Sequence, residues 1–262
     1  MKILLAILSC YVYTRLMLKV YKKVGQTPLD VIDEIRRDNP KLRDEIMSYA
    51  GRLDPMAEGE MLILIGEEEN KNRQKYLGFD KEYEADILLG FATDTHDMLG
   101  LVIDHKDSAV TVAQQKKIKT VLTGFLKKKT QVYPEFSSKT VQGRPLFEWK
   151  KSGQIDQITL PKRKIAIKKV KLIALESISA DDLLGYIKSS VLLVRGDFRQ
   201  GEILSEWERL LNNLKEQTFL IARVQFHVSS GTYIRGLAHE LGTKLKIPAC
   251  LYKLKRTRIS DK

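Results

Sequence analysis

The sequence predicts an α+β fold with helices set against a mixed sheet, and three observations carry that reading. Helical and strand patterns alternate along the chain without the regular strand–helix–strand repeat of a doubly wound protein. With 43% hydrophobic and 8% aromatic residues, the 262-residue chain can bury a real core, which excludes wholesale disorder. No apolar run approaches the roughly 18 residues of a membrane span, which excludes a polytopic membrane protein.

The elements follow in order. Residues 16–21 read as a short strand and residues 22–27 as a turn about Gly25. Pro28 opens a helix with Leu29, Val31, Ile32 and Ile35 at helical spacing, and Pro40 ends it. Residues 51–59 are a loop and residues 61–65 a buried strand. Residues 81–90 alternate as a further strand, followed by a turn-rich loop over 93–100. From Thr111 a helix turns Ile118, Val121, Leu122 and Phe125 inward and runs into Lys127, Lys128 and Lys129. Residues 162–171 read as one strand with a solvated lysine face. Helices are expected over 179–187, 202–214 and 232–245, and strands over 219–228 and 251–259.

Charge narrows the function. Forty-five Lys+Arg against 33 Asp+Glu leave a formal charge of +12, which suits a polyanionic partner. The basic residues cluster at 116–129, 139–151, 162–171 and 253–262, with Tyr133, Phe136, Phe147, Trp149 and Tyr252 among them. A surface that holds a phosphate backbone and stacks bases has this composition. The plain alternative is a solvated face beside ordinary core aromatics. Two cysteines, Cys10 and Cys250, make no disulfide framework, and four histidines show no ligand spacing, so neither metal nor cofactor is expected. The N-terminal run Ile3–Leu8 is too short for a secretory signal and lacks a cleavage site, so residues 1–15 are read as a leader of unknown role.

The most informative segment is Tyr49-Ala-Gly-Arg-Leu-Asp-Pro-Met-Ala-Glu-Gly59, which places Asp54 in a Gly/Pro-bounded loop leading into a core strand. With it stand Lys22-Lys-Val-Gly-Gln-Thr27, Lys81-Glu-Tyr83, Leu89-Gly-Phe-Ala-Thr-Asp-Thr-His-Asp-Met-Leu-Gly100, Pro134-Glu-Phe-Ser137, Gly231-Thr-Tyr-Ile-Arg235 and Leu254-Lys-Arg-Thr257. In this order and over most of its length, the chain resembles the TruB family of pseudouridine synthases. The resemblance implies a pseudouridine synthase fold over residues 16–262, with a mixed, mainly antiparallel sheet. It also implies an inserted arm at about 105–150 that clasps RNA.

The resemblance assigns roles that make chemical sense. The uridine must leave the stack for its glycosidic bond to be broken at N1 and remade at C5. Asp54 matches the catalytic aspartate, which attacks the ribose or assists base departure. A carboxylate in a dry pocket needs a cation beside it, and Arg235 matches the arginine that supplies one, expected as a bidentate pair. Tyr83 matches the active-site tyrosine, which stacks on the base and stands where a proton leaves C5. Leu254 matches the apolar pocket residue. Lys22 and Asp97, within matched motifs, and Lys127, Lys128 and Lys129, on the arm, are expected to bind substrate.

Some positions depart from the family pattern. Tyr49 stands where a histidine commonly helps to wedge out the base, so flipping with altered loop preference is expected. Lys23 replaces the motif's proline, and Arg52 is closer to the ribosomal-RNA synthases. The usual C-terminal RNA-binding domain has no counterpart after Lys262. Weaker RNA binding is expected on that ground, with the catalytic domain's own lysines supplying most of the affinity. The reading is then a tRNA pseudouridine synthase acting on the T-arm uridine (position 55 in tRNA numbering), cytoplasmic, monomeric, with tRNA as its partner and no membrane or protein partner. The alternatives are the same chemistry on ribosomal or guide-directed RNA, and a non-catalytic tRNA-binding or folding protein.

Overall fold

A computed structural model describes residues 16–106 and 110–261. The expected leader at 1–15 lies outside these residues. Thirteen strands and eight helices run in the order β1 (Leu16–Lys22), α1 (Pro28–Asp38), β2 (Met47–Ala50), β3 (Ala57–Ile65), α2 (Glu67–Lys71), α3 (Arg73–Leu77), β4 (Asp80–Leu89), β5 (Phe91–Thr93), β6 (Val102–His105), α4 (Val112–Gly124), β7 (Thr130–Val132), β8 (Thr140–Val141), β9 (Arg144–Pro145), α5 (Leu146–Lys151), β10 (Lys162–Lys164), β11 (Ile167–Ser179), α6 (Ala180–Val191), α7 (Gln200–Asn213), β12 (Thr218–Val228), α8 (Ile234–Leu245) and β13 (Ala249–Ser260), as counted among the described residues.

A seven-stranded sheet organises them, in the order β1-β3-β13-β4-β12-β11, with β2 also paired to β3. Only the β13–β3 pair within it is parallel. The expected mixed, mainly antiparallel α+β fold is therefore what the chain adopts.

The period-two alternation of strands assigns the two faces. Ala85, Ile87 and Leu89 of β4, with Ala222 and Val224 of β12, pack under α4 and α8. Leu88, Phe219 and Ile221 turn the other way, to Leu183 and Ile187 of α6 and Ile203 and Trp207 of α7. At the β1 edge, Val31 and Ile32 of α1 cover Met61, Ile63 and Ile65.

Local chemistry starts and stops the elements. Thr27 and Asp30 form a capping box on α1 with Pro28 in its first turn, and Thr111 and Gln114 form another on α4. Gly59 is the one glycine whose missing side chain holds the centre of the sheet together. Its φ is +117°, and a Cβ there would lie 2.1 Å from the Arg256 carbonyl oxygen of the parallel neighbour β13.

Three expectations need correction. The basic stretch 162–171 is two strands: β10 pairs with β7, and β11 begins at Ile167 and runs on to Ser179. The step between them is held by the Ile165 amide on Lys129 O and the Ala166 amide on Ser229 Oγ. Alternation continues across that step, so the sequence shows no break. The last helix begins at Ile234 rather than Thr232: Tyr233 is its N-cap, with extended backbone at φ −89° and ψ 106°, and its orphan amide donates to Gln131 Oε1 at 2.9 Å. Strands β2 and β5 to β9 and helices α2, α3 and α5 were missed. Each is at most 6 residues long, too short to show a period. Within the segment expected as an arm, Ile118, Leu122 and Phe125 are buried in the core cluster with residues of α8.

Candidate active site

The Asp54-bearing loop, residues 51–56, joins two strands that flank each other in the sheet. It is pinned from below by two buried cations. Arg256 of β13 is 1% exposed and donates to Gly51 O at 3.0 Å and Glu60 O at 2.6 Å. Lys22 at the end of β1 is 0% exposed and donates to Ala57 O at 2.5 Å and Lys23 O at 3.0 Å. Burial lowers Lys22 to about 8, with Arg256 adding to the effect and Asp54, Asp30 and Glu58 opposing it. Lys22 was expected to bind substrate. It is instead sealed beneath the loop, with its donors on backbone carbonyls, and supports Asp54 from behind.

Arg235, in the first turn of α8, meets Asp54 from the other side. Its Nε donates to Asp54 Oδ2 at 3.0 Å. The pairing is single, not the expected fork, because Nη1 goes to Thr95 O at 2.7 Å and Nη2 to Phe136 O at 2.8 Å. One guanidinium thus ties the Asp54 loop to two other segments. The Arg235 side chain is 5% exposed and that of Asp54 34%, so the cation is enclosed while the carboxylate stays open. Burial works against the Arg235 charge, but Asp54, Asp97 and Tyr233 outweigh it and the pKa is raised.

Asp54 opens onto a small cleft lined also by Met56, Ala57, Asp97, Leu251, Tyr252, Lys253 and Leu254. Leu254 sits in register between Ala57 of β3 and Ala85 of β4. Tyr83, 7% exposed, lies in the same apolar cluster as Leu53 and Ala57, which bracket Asp54. The structure therefore brings together Asp54, Arg235, Asp97 and Leu254, and Tyr83 is buried on the face of β4 that also carries Ala85, the register partner of Leu254.

Asp97 is buried, and its Oδ1 accepts from Thr95 Oγ1 at 2.8 Å and the Leu99 amide at 3.0 Å. These contacts make it a support of the 93–100 loop as well as a wall of the cleft. Burial raises its pKa to about 6, with Asp54 adding to the rise and Arg235 opposing it. The sign follows directly. The folded state holds this proton up to about pH 6 and the unfolded chain only to about 4, so stability from it is present below about pH 4 and lost as pH rises through 6. Asp97→Asn is expected to flatten that stretch. Denaturant unfolding of both proteins at pH 4.5 and 7.5 checks it, with the variant gaining about 2 kcal/mol relative to wild type over the interval.

Other expected site residues lie elsewhere. Tyr49, on β2, has its hydroxyl bound by Arg52 Nη2 at 2.9 Å, and Arg52 and Arg73 each lie 5.9 Å from its ring centre. Lys127 and Lys128 line a separate cleft with Phe125, Glu240 and Lys244, beside α8. Lys127 and Lys129 are exposed, whereas Lys128 is paired with Glu240 at 2.7 Å.

The sequence reading missed several contributors. The Thr95 and Phe136 carbonyls lay inside quoted motifs, but backbone acceptors carry no residue signature. Tyr233, within the quoted Gly-Thr-Tyr-Ile-Arg run, packs its ring 5.5 Å from the Arg235 guanidinium. His96 and His239 stack at 4.1 Å beside the same loop, and burial together with His239 and Arg235 holds His96 down at about 3.

A carboxylate held by an enclosed arginine in a cleft at the centre of a mixed sheet is the arrangement that the resemblance implied for the class of pseudouridylate synthases. The family model for the TruB family pseudouridylate synthase N-terminal domain matches residues 40–189, and the chain belongs to that family. The chain is 30% identical over 241 residues to a tRNA pseudouridine synthase B of Protochlamydia amoebophila (strain UWE25), spanning 92% of this chain and 72% of that protein. It is likewise 30% identical to one of Latilactobacillus sakei, with 91% of this chain and 65% of that protein covered. Among solved structures, a Cbf5–Nop10–Gar1 complex shares the fold at a TM-score of 0.53 and 19% identity, over 93% of this chain and 48% of that one.

Proposed function

We propose that this protein isomerises uridine to pseudouridine in tRNA, at the T-arm uridine, with Asp54 as nucleophile. The observation that carries the reading is the open Asp54 carboxylate held by the enclosed Arg235. Asp54 either attacks the ribose or assists base departure while the flipped base is held. Arg235 orients the carboxylate and offsets its charge. Tyr83 and Leu254 supply an apolar wall that keeps water from the intermediate, and the Tyr83 hydroxyl serves proton removal at C5. The base detached at N1 turns and bonds through C5, and the C5 hydrogen leaves as a proton. The relatives' names support tRNA as the substrate. The same reading has the protein act in the cytoplasm, as a monomer, without metal or cofactor.

Tritium release from a T-arm minihelix and from whole tRNA, both labelled at C5 of uridine, tests this. Release from both supports the T-arm assignment. Release from ribosomal RNA alone overturns it.

Charge removal at Lys127, Lys128 and Lys129 together is expected to raise KM far more than it lowers kcat. Because Lys128 is engaged with Glu240, two free cations contribute. The slope of log Kd against log salt is expected to shrink by roughly 1.5 to 2, which filter binding across salt concentrations reads.

A further inference from the structure

β11 and β12 are antiparallel neighbours that stay paired out to Ser179–Thr218, a junction that a tight turn could close. Residues 180–217 stand there instead, as α6 and α7. This pair of helices takes Met98 and Leu99, from the loop that follows β5, into its own apolar cluster with Leu183, Ile187, Ile203 and Trp207. Its polar contacts converge on the same loop. Glu206 accepts the Val102 amide at 3.2 Å. Arg199 donates to both carboxylate oxygens of Asp94, at 2.8 Å and 3.2 Å, with the two side chains 23% and 11% exposed. The Arg199 guanidinium also lies 4.8 Å from the centre of the Phe136 ring. Its backbone is left-handed, at φ 62°, and it gives α7 no side-chain cap. A non-glycine residue holds that conformation under strain, so its neighbours must over-determine it.

Asp94 and Phe136 belong to the two segments whose Thr95 and Phe136 carbonyls receive Arg235. We propose that Arg199 is a positioning residue for the isomerisation: it locks these two segments together, so that Arg235 presents its Nε to Asp54. A fork to a carboxylate combined with stacking on a ring is a geometry that lysine does not reproduce. Small displacements at such distances carry large rate effects. The inference rests on the function proposed above.

The test compares Arg199→Met, Asp94→Asn, their double variant and Arg199→Lys. Single-turnover rates at saturating T-arm minihelix are expected to fall on the order of tenfold in each single variant, and no further in the double, with partial recovery in the lysine variant. Minihelix Kd is expected to stay within about twofold. Hydrogen exchange supplies a readout that needs no activity. Amides of residues 93–101 and 133–139 are expected to exchange roughly tenfold faster in Arg199→Met, with those of β3 and β13 unchanged. A wild-type rate in Arg199→Met, additive losses in the double variant, a loss confined to Kd, or unchanged exchange would each overturn the proposal. Should Arg199→Met fail to fold, Asp94→Asn and Arg199→Lys carry the same comparisons. If the wild-type protein releases no tritium from any RNA, the functional reading falls, and the exchange data alone decide whether Arg199 holds the two segments.

Discussion

Asp54→Asn is expected to abolish tritium release, by at least about 10⁴-fold in the single-turnover rate, while RNA binding persists. The substitution is close to isosteric. The amide oxygen still accepts from Arg235 Nε, so the loop held by Lys22 and Arg256 keeps its shape. What is lost is the nucleophilic oxygen. A side chain 34% exposed carries little of the core, so the unfolding midpoint should move by no more than a few degrees. Kd for RNA should be unchanged or tighter, because a negative charge near the phosphates is removed. A variant within tenfold of wild type would refute Asp54 as the nucleophile.

Arg235→Met is expected to lower the rate by about 10³-fold and to destabilise the protein as well. The two effects share a cause. The guanidinium satisfies Asp54, Thr95 O and Phe136 O at once from a site that is 5% exposed. Methionine fills much of the volume but leaves a carboxylate and two carbonyls without their donor. Removing one partner of a buried pair costs about 3–5 kcal/mol, and the partial exposure of Asp54 brings the expected figure to about 2–3. Arg235→Lys keeps the charge and loses the geometry, since one ammonium cannot reach three acceptors on three segments. It should recover stability more than rate. Denaturant unfolding and single-turnover kinetics on the same preparations separate the two, and equal recovery of both would argue that Arg235 contributes charge alone.

How much of this was legible in the sequence depends on the range of each interaction. Pro28 and the helical spacing of Leu29, Val31, Ile32 and Ile35 announce α1, and the alternation of residues 81–90 announces β4, because both periodicities act over a few residues. The pairing of Asp54 with Arg235 and the place of Leu254 in the same cleft were legible through the motifs around them. Lys22 was expected to bind substrate because it stands in a matched motif, and only the passage of β1 beside β3 encloses it. Lys128 looked as free as Lys127 until α8 placed Glu240 against it.

Sequence alone determined the α+β class, the positions of the long elements, the basic character and the motif residues proposed to carry the chemistry, since composition, periodicity and motif are local properties. Tertiary structure decided which of those residues meet. The 181 positions between Asp54 and Arg235 collapse to 3.0 Å because α8 packs under the sheet beside the β2–β3 loop. The single rather than forked pairing, the burial of Lys22 and Arg256 and the reach of Arg199 to Asp94 follow from the same packing. Each depends on where carbonyls and charges from distant segments come to lie, and no local pattern in the chain encodes that.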